Sequence, residues 1–185
     1  YRARLPAPEA GITLDLTLTP TQPLLLQGEA GFSRKGPQPQ QASHYYSQPQ
    51  LQVRASLGSG RPALAGRGWL DHEWSDALLA PGVVGWDWIG INLADGGALT
   101  AFVLRRADGS VVWAGGSHRP VGGVLRVFAP QELQFSPQRR WVSPATGAHY
   151  PVEWAITTPA GRFGLRALLD AQELDSRASV GTVYW

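Results

Sequence analysis

The chain contains no cysteine, which excludes disulfides, thiol nucleophiles and cysteine-bound zinc, and leaves the redox compartment open. Methionine is absent too, and the first residue is Tyr1. Such a chain is expected to be trimmed, so that a removed leader would leave no trace. Lysine is almost missing: of 16 basic residues only Lys35 is one. The arginines stand singly apart from Arg105-Arg106 and Arg139-Arg140, so there is no basic stripe, and nucleic acid is not an expected partner despite a pI near 9.3. No apolar run approaches the roughly 18 residues of a membrane helix, so an integral membrane protein is not expected either. His44, His72, His118 and His149 lie far apart, with no His-x-His or His-Glu-x-x-His spacing; no metal site and no cofactor are expected. Gly-x-Ser-x-Gly elbows and phosphate loops are also lacking, which leaves serine hydrolysis and phosphoryl chemistry without support.

What is present points to strands. Hydrophobic residues make up 43% and charged residues 16%, enough for a core and too apolar for general disorder. Glycine (22) and proline (15) recur every few residues and leave little room for helices. Between these breaks the apolar residues alternate. Ile12, Leu14, Leu16 and Leu18 oppose Thr13, Asp15, Thr17 and Thr19. Leu51, Val53, Ala55 and Leu57 oppose Gln50, Gln52, Arg54 and Ser56. Tyr150, Val152, Trp154 and Ile156 form another such run, and Phe163, Leu165, Ala167 and Leu169 a fourth. Period-two alternation marks antiparallel sheets with one dry face. Ala94-Asp95-Gly96-Gly97 and Ala107-Asp108-Gly109-Ser110 read as Asp-Gly hairpins, making residues 85–119 a three-stranded meander. Strands this short and numerous predict a barrel or sandwich. The stretch Gly36 to Ser43 reads as a loop with nothing to bury, and the break from Ala129-Pro130 to Ser136-Pro137 as the boundary between two β units.

The densest chemistry lies in Trp69-Leu70-Asp71-His72-Glu73-Trp74. On a strand, Leu70, His72 and Trp74 share one face and Trp69, Asp71 and Glu73 the other. His72 reads either as a core imidazole held by a carboxylate or as a pocket residue that moves a proton near neutral pH. In Gly85-Trp86-Asp87-Trp88-Ile89, Asp87 shares a face with Ile89, Ile91 and Leu93, and Trp86 and Trp88 lie opposite. Asp87 is then either a structural partner of His72 or Arg67, or a functional acid. If the tryptophans face the interior they line the cavity, and Asp87 is an outward structural group. Eight tryptophans are many for this length; several fill the core, and the rest are available as an aromatic wall.

His44-Tyr45-Tyr46-Ser47, the Gly68–Trp74 run and Gly85-Trp86-Asp87-Trp88 together resemble the signature of the AttH/CrtC-like proteins, the bacterial "predicted secreted hydrolases" and the carotenoid 1,2-hydratases. Trp141-Val142-Ser143-Pro144-Ala145-Thr146-Gly147 with Tyr150-Pro151-Val152-Glu153-Trp154 is similar to the opening of that family's second lipocalin-like unit. Gln172-Glu173-Leu174 and Tyr184-Trp185 continue the pattern. The resemblance implies an all-β protein of two lipocalin-like antiparallel barrel units, both incomplete in this chain. Residues 1–134 would be the C-terminal part of the first domain and 135–185 the start of the second, in a protein longer at both ends. In the hydratases an acid protonates an isoprenoid double bond before water adds, and a histidine and tryptophan two apart match His72 and Trp74. Their aspartate on a following strand has no counterpart here, where Leu99-Thr100-Ala101 stands.

The expected function is therefore an extracytoplasmic, periplasmic or secreted, pocket for an apolar isoprenoid- or lipid-like molecule, with hydratase- or hydrolase-like acid–base chemistry. The candidate catalytic residues are His72, Asp71, Glu73 and Asp87, and the candidate ligand-binding residues are Trp74, Trp86, Trp88, Tyr45 and Tyr46. The alternative is a non-catalytic carrier, or an accessory protein of an ABC-type export system, since relatives accompany such transporters.

Overall fold

Alternation, turn chemistry and the near absence of helix-length runs between breaks decide the architecture: almost every element is an antiparallel strand. The structure is a computed structural model that describes residues 1–58, 61–76 and 79–185. It divides into two units, Tyr1–Pro130 and Gln131–Trp185.

In the first unit the strands are β1 (Arg2–Ala7), β2 (Ile12–Thr19), β3 (Leu25–Leu26), β4 (Phe32–Arg34), β5 (Ala42–Ser56), β6 (Leu64–Trp74), β7 (Gly85–Asn92), β8 (Ala98–Arg105), β9 (Val111–Arg119) and β10 (Arg126–Phe128). The 15-residue β5 organises one sheet. Its C-terminal half pairs with β2, which carries β1; its N-terminal half pairs with β3 and β4; and β6 runs along its other edge. The expected meander forms the second sheet, in the order β10-β9-β8-β7. Its two turns close as the Asp-Gly signals require, with Asp95 Oδ1 accepting from Gly97 N at 2.8 Å and Asp108 Oδ1 from Ser110 N at 2.9 Å. β8 is buried along nearly its whole length, with Ala98, Leu99 and Ala101 fully inaccessible. The resemblance implies two lipocalin-like barrel units, each incomplete in this chain; among the described residues the sheets are antiparallel and open, and none closes on itself.

One irregularity sets the geometry of the site. The β5–β6 register shifts between Gln48 and Leu51, and Gln50 has φ +52°. One extra residue on β5 reverses which side chains face which way on either side of it. Leu51 and Val53 therefore pack with Leu18 over Gly68, whereas Tyr45 and Ser47 share the opposite face with Asp71 and Glu73. The bulge also ties the two sheets together. Gln50 N donates to Asn92 Oδ1 at 2.7 Å, Gln50 Nε2 donates to the carbonyls of Leu93 and Gly97, and Asn92 Nδ2 donates to Gly68 O at 3.0 Å.

The second unit holds β11 (Gln134–Pro137), β12 (Arg140–Val142), β13 (His149–Pro151), β14 (Glu153–Thr158), β15 (Gly161–Arg166), β16 (Leu174–Asp175), a one-turn helix (Arg177–Val180) and β17 (Val183–Tyr184). β14 is central between β11 and β15, and Val152 and Ile156 are buried. The motifs read from the sequence converge on one carboxylate. Glu173 accepts from Ser143 Oγ at 2.9 Å, Thr146 Oγ1 at 2.6 Å and Tyr150 Oη at 2.6 Å. Those bonds, led by Thr146 and Tyr150, hold the Glu173 carboxyl below its ordinary range. Withdrawal from water and the neighbouring Glu173 push the Tyr150 hydroxyl up to about 12. No helix among the described residues is long and apolar enough to cross a membrane.

Candidate functional site

Strand alternation on β6 puts Trp69, Asp71 and Glu73 on one face, inner in the sense that it meets buried residues of β5, together with β7 and Lys35 just after β4. Asp71 and Glu73 themselves remain exposed. Asp71 Oδ1 accepts three hydrogen bonds: from Ser47 Oγ at 2.5 Å, Tyr45 Oη at 3.0 Å and Trp69 Nε1 at 3.0 Å. No donor among the described residues reaches Oδ2. Tyr45 Oη in turn accepts from Trp88 Nε1 at 2.9 Å. Ser47 Oγ accepts from Gln27 Nε2 at 3.0 Å, and Gln27 Oε1 accepts from Ser117 Oγ at 2.7 Å. Ser47, Gln27 and Ser117 are all buried, so the chain of bonds satisfies polar groups that would otherwise be orphaned.

Beside this chain stands the sole lysine. Lys35 Nζ lies 2.7 Å from Glu73 Oε1, which also accepts from Ser43 Oγ at 2.5 Å. The ammonium sits 3.9 Å above the Phe102 ring and 4.8 Å above that of Tyr45, within cation–π range of both. Its side chain is only 13% exposed.

Three groups in this cluster have displaced protonation equilibria. Burial lowers the Lys35 amine below its ordinary 10.5, and the charges of Glu73 and Asp71 offset only part of that. Asp71 keeps a solvent-facing side, yet withdrawal of its carboxylate from water still raises it above 3.8, against the opposing bonds from Ser47, Trp69 and Tyr45; the charge of Glu73 adds to the rise. Burial, then the Asp71 charge, pushes the Tyr45 phenol well above its usual value. Tyr45 therefore stays protonated and keeps donating to Asp71.

The Lys35 direction is testable because one lysine gives one signal. In protein labelled with nitrogen-15 lysine, the single Nζ resonance is expected to lose its proton below pH 10.5. In Glu73→Gln, with the charge that raises it removed, it should do so at still lower pH. A wild-type Nζ titrating at or above 10.5 would contradict the buried cage.

The opposite face of β6 is an open aromatic ladder. His72 stacks on Tyr46 (centroids 5.2 Å apart, 7° between planes) and meets Trp74 edge-on at 5.0 Å; His44 stacks on Trp74 at 5.3 Å. His72 is exposed and Trp74 is 50% exposed. The structure thus separates the two sets that the sequence reading pooled. Asp71, Glu73, Tyr45 and Trp88 come together on the inner face; His72, Tyr46 and Trp74 lie on the outer one. Asp87 belongs to neither, nor does it pair with His72 or Arg67. It forms a two-point ion pair with Arg105, Nε to Oδ2 at 2.5 Å and Nη2 to Oδ1 at 3.0 Å. Trp86 and Trp88 point away from Asp87. Trp88 is 40% exposed and nests edge-on against Trp69, ring centroids 6.4 Å apart, over Gly90, where a Cβ would lie within 2.9 Å of both indoles.

Lys35, Ser43, Ser47, Gln27, Ser117, Trp69 and Phe102 are members that the sequence reading did not assign. Lys35 carried a signal, as the only lysine beside a segment otherwise read as empty loop. The hydroxyl and amide residues carried none, because their partners lie 20 to 90 positions away.

The AttH-like family matches residues 1–185, the whole chain. The chain belongs to the AttH-like family. A crystal structure of an AttH-type protein from Nitrosomonas europaea superposes with a TM-score of 0.92 at 48% identity; the match covers 100% of this chain and 58% of that one. Kievitone hydratase from Nectria haematococca superposes with a TM-score of 0.70 at 20% identity, over 94% of this chain and 54% of that one, which establishes a shared lipocalin-like fold. This AttH-like chain thus spans little more than half the length of either solved protein. No curated protein matches it. Among its described residues no group of three or more His, Asp and Glu is placed to hold a metal ion.

Proposed function

We propose that the first unit is an acid–base site acting on an apolar, isoprenoid-like molecule by adding water to a double bond, with Asp71 as the acid. The observation that carries this reading is the division of labour within one carboxyl group: Oδ1 is fixed by three donors, and Oδ2 takes up no donor among the described residues. A carboxyl raised by its surroundings keeps its proton nearer neutral pH, as a general acid must.

The chemistry follows from that arrangement. Protonated Asp71 delivers the Oδ2 proton to the less substituted carbon of a trisubstituted alkene, whose π pair forms the new C–H bond. The tertiary cation that results lies against the indole faces of Trp69 and Trp88, which stabilise positive charge. A water molecule adds to the cation and gives its proton to the Asp71 carboxylate, restoring the acid. One water has then crossed one double bond. Glu73, held by Lys35 and Ser43, contributes a fixed negative charge that favours the protonated form of Asp71. The fold shared with a protein named a hydratase agrees with this chemistry. A periplasmic or secreted setting is part of the same proposal, on the resemblance of the motifs to secreted relatives.

The test is a prenylated phenol incubated with the protein in deuterated water. The expected product is a tertiary alcohol carrying one deuterium on the adjacent carbon. Alkene recovered without deuterium or alcohol counts against the reading.

A further inference from the structure

A second feature of the first unit has no part in that chemistry. A cavity of about 450 Å³ opens between β4, β9 and β10, walled by Phe32, Phe102, Trp113 and Phe128 with Gln27 and Arg34. It shares Phe102 and Gln27 with the polar cluster but does not include Asp71. Its size falls within the roughly 300–1,000 Å³ of small-molecule sites. The wall is mainly apolar, with four aromatic side chains, and one group in it is out of place.

That group is the Arg34 guanidinium, which lies 5.2 Å over the Trp113 ring. Its Nη2 donates to the carbonyls of Gly36 at 3.0 Å and Pro37 at 2.6 Å. Its Nε is buried and finds no acceptor among the described residues. No carboxylate among the described residues forms an ion pair with Arg34; Glu29 lines the same cavity but is exposed and does not reach it. A buried N–H without an acceptor is a standing cost. A guanidinium in an apolar wall without a counter-ion calls for an anion.

We propose that this cavity binds an apolar molecule ending in a carboxylate, its chain against Phe102, Phe128 and Trp113 and its carboxylate on the Arg34 guanidinium. A carboxylate suits the site better than a phosphate. The single positive charge of Arg34 matches a monoanion, and a dianion would have to shed far more water to enter a mainly apolar cavity. The site stands independently of Asp71 and of any reaction there.

The experiment is calorimetric titration of the full chain with decanoate and with 1-decanol at pH 8, below the concentration at which either self-associates. Decanoate is expected to bind about tenfold more tightly than decanol. Arg34→Met, which keeps the length and loses the charge, should bring decanoate down to the level of decanol and leave decanol unchanged. In the wild-type protein the Arg34 Nε–H resonance should shift with decanoate and not with decanol, a readout that does not need the variant to fold. Equal affinities for the two ligands, a preference that survives in Arg34→Met, an unmoved Nε–H resonance, or no binding of either ligand would each overturn the proposal.

Discussion

Asp71→Asn should lower hydration of a prenylated phenol by about 10²–10⁴-fold, the usual worth of a positioned general acid. The substitution is chosen to spare the fold. An asparagine Oδ1 can still accept from Ser47, Tyr45 and Trp69, and the replacement removes the charge whose withdrawal from water raised the native group. The loss should therefore fall on turnover, with affinity for the apolar probe within a few-fold of wild type and the thermal transition little changed. The measurement is product formed per enzyme at saturating probe, alongside tryptophan fluorescence of the bound complex. If Asp71→Asn retained wild-type turnover, Asp71 would be a structural acceptor at the end of a partly buried network and the acid would lie elsewhere.

The second large effect concerns the scaffold. Gly116 in β9 faces Ala101 of β8, and a Cβ built on it would overlap the Thr100 carbonyl and stand 2.9 Å from Ala101 Cα. These neighbours are backbone atoms of a strand buried over nearly its full length, and a flexible side chain cannot yield in their place. Gly116→Ala is expected to cost about 3 kcal/mol, the upper end for overpacking, and to lower the melting temperature by roughly 10 °C. Since β8 also presents Phe102 to Lys35, the variant should disturb the Lys35 Nζ resonance as well. A melting temperature within about 2 °C of wild type would mean that β8 and β9 can part at this point without loss.

Much of this architecture was legible because it is local. The β2 strand, the 85–119 meander and both its turns follow from alternation and from Asp-Gly pairs, whose partners are adjacent in sequence. The pairing of Trp154 with Leu165 and Ile156 with Phe163 joins two runs read as strands. The division of β6 into two faces was equally readable. Which face turns inward was not. Leu70, His72 and Trp74 form the more apolar set, yet the inner face carries Asp71 and Glu73, because a lysine, two serines and a tyrosine from other strands and loops compensate them. Compensation over such separations leaves no periodic trace. The bulge at Gln50 was hidden for a related reason. It joins His44-Tyr45-Tyr46-Ser47 and the Leu51 run into one strand while reversing their faces, so two correct alternations concealed a single long element. Asp87 shows the opposite limit. Its need for a partner was evident from its apolar neighbours, but Arg105 becomes that partner only once β7 and β8 align Gly85 with Arg105.

The most direct test of the account is the protonation equilibrium of the Asp71 carboxyl, followed by carbon-13 NMR in wild type and assigned by its absence from Asp71→Asn. The account predicts that the carboxyl holds its proton above the ordinary 3.8. The folded state would then bind more protons than the unfolded chain between 3.8 and the raised value. The Asp71 contribution to stability should accordingly fall as pH rises through that window, so that the wild type loses stability relative to Asp71→Asn there. A carboxyl that titrates at or below 3.8 would mean that the three donors outweigh its withdrawal from water. Asp71 would then be a fixed anion, and the acid at the centre of this reading would be lost.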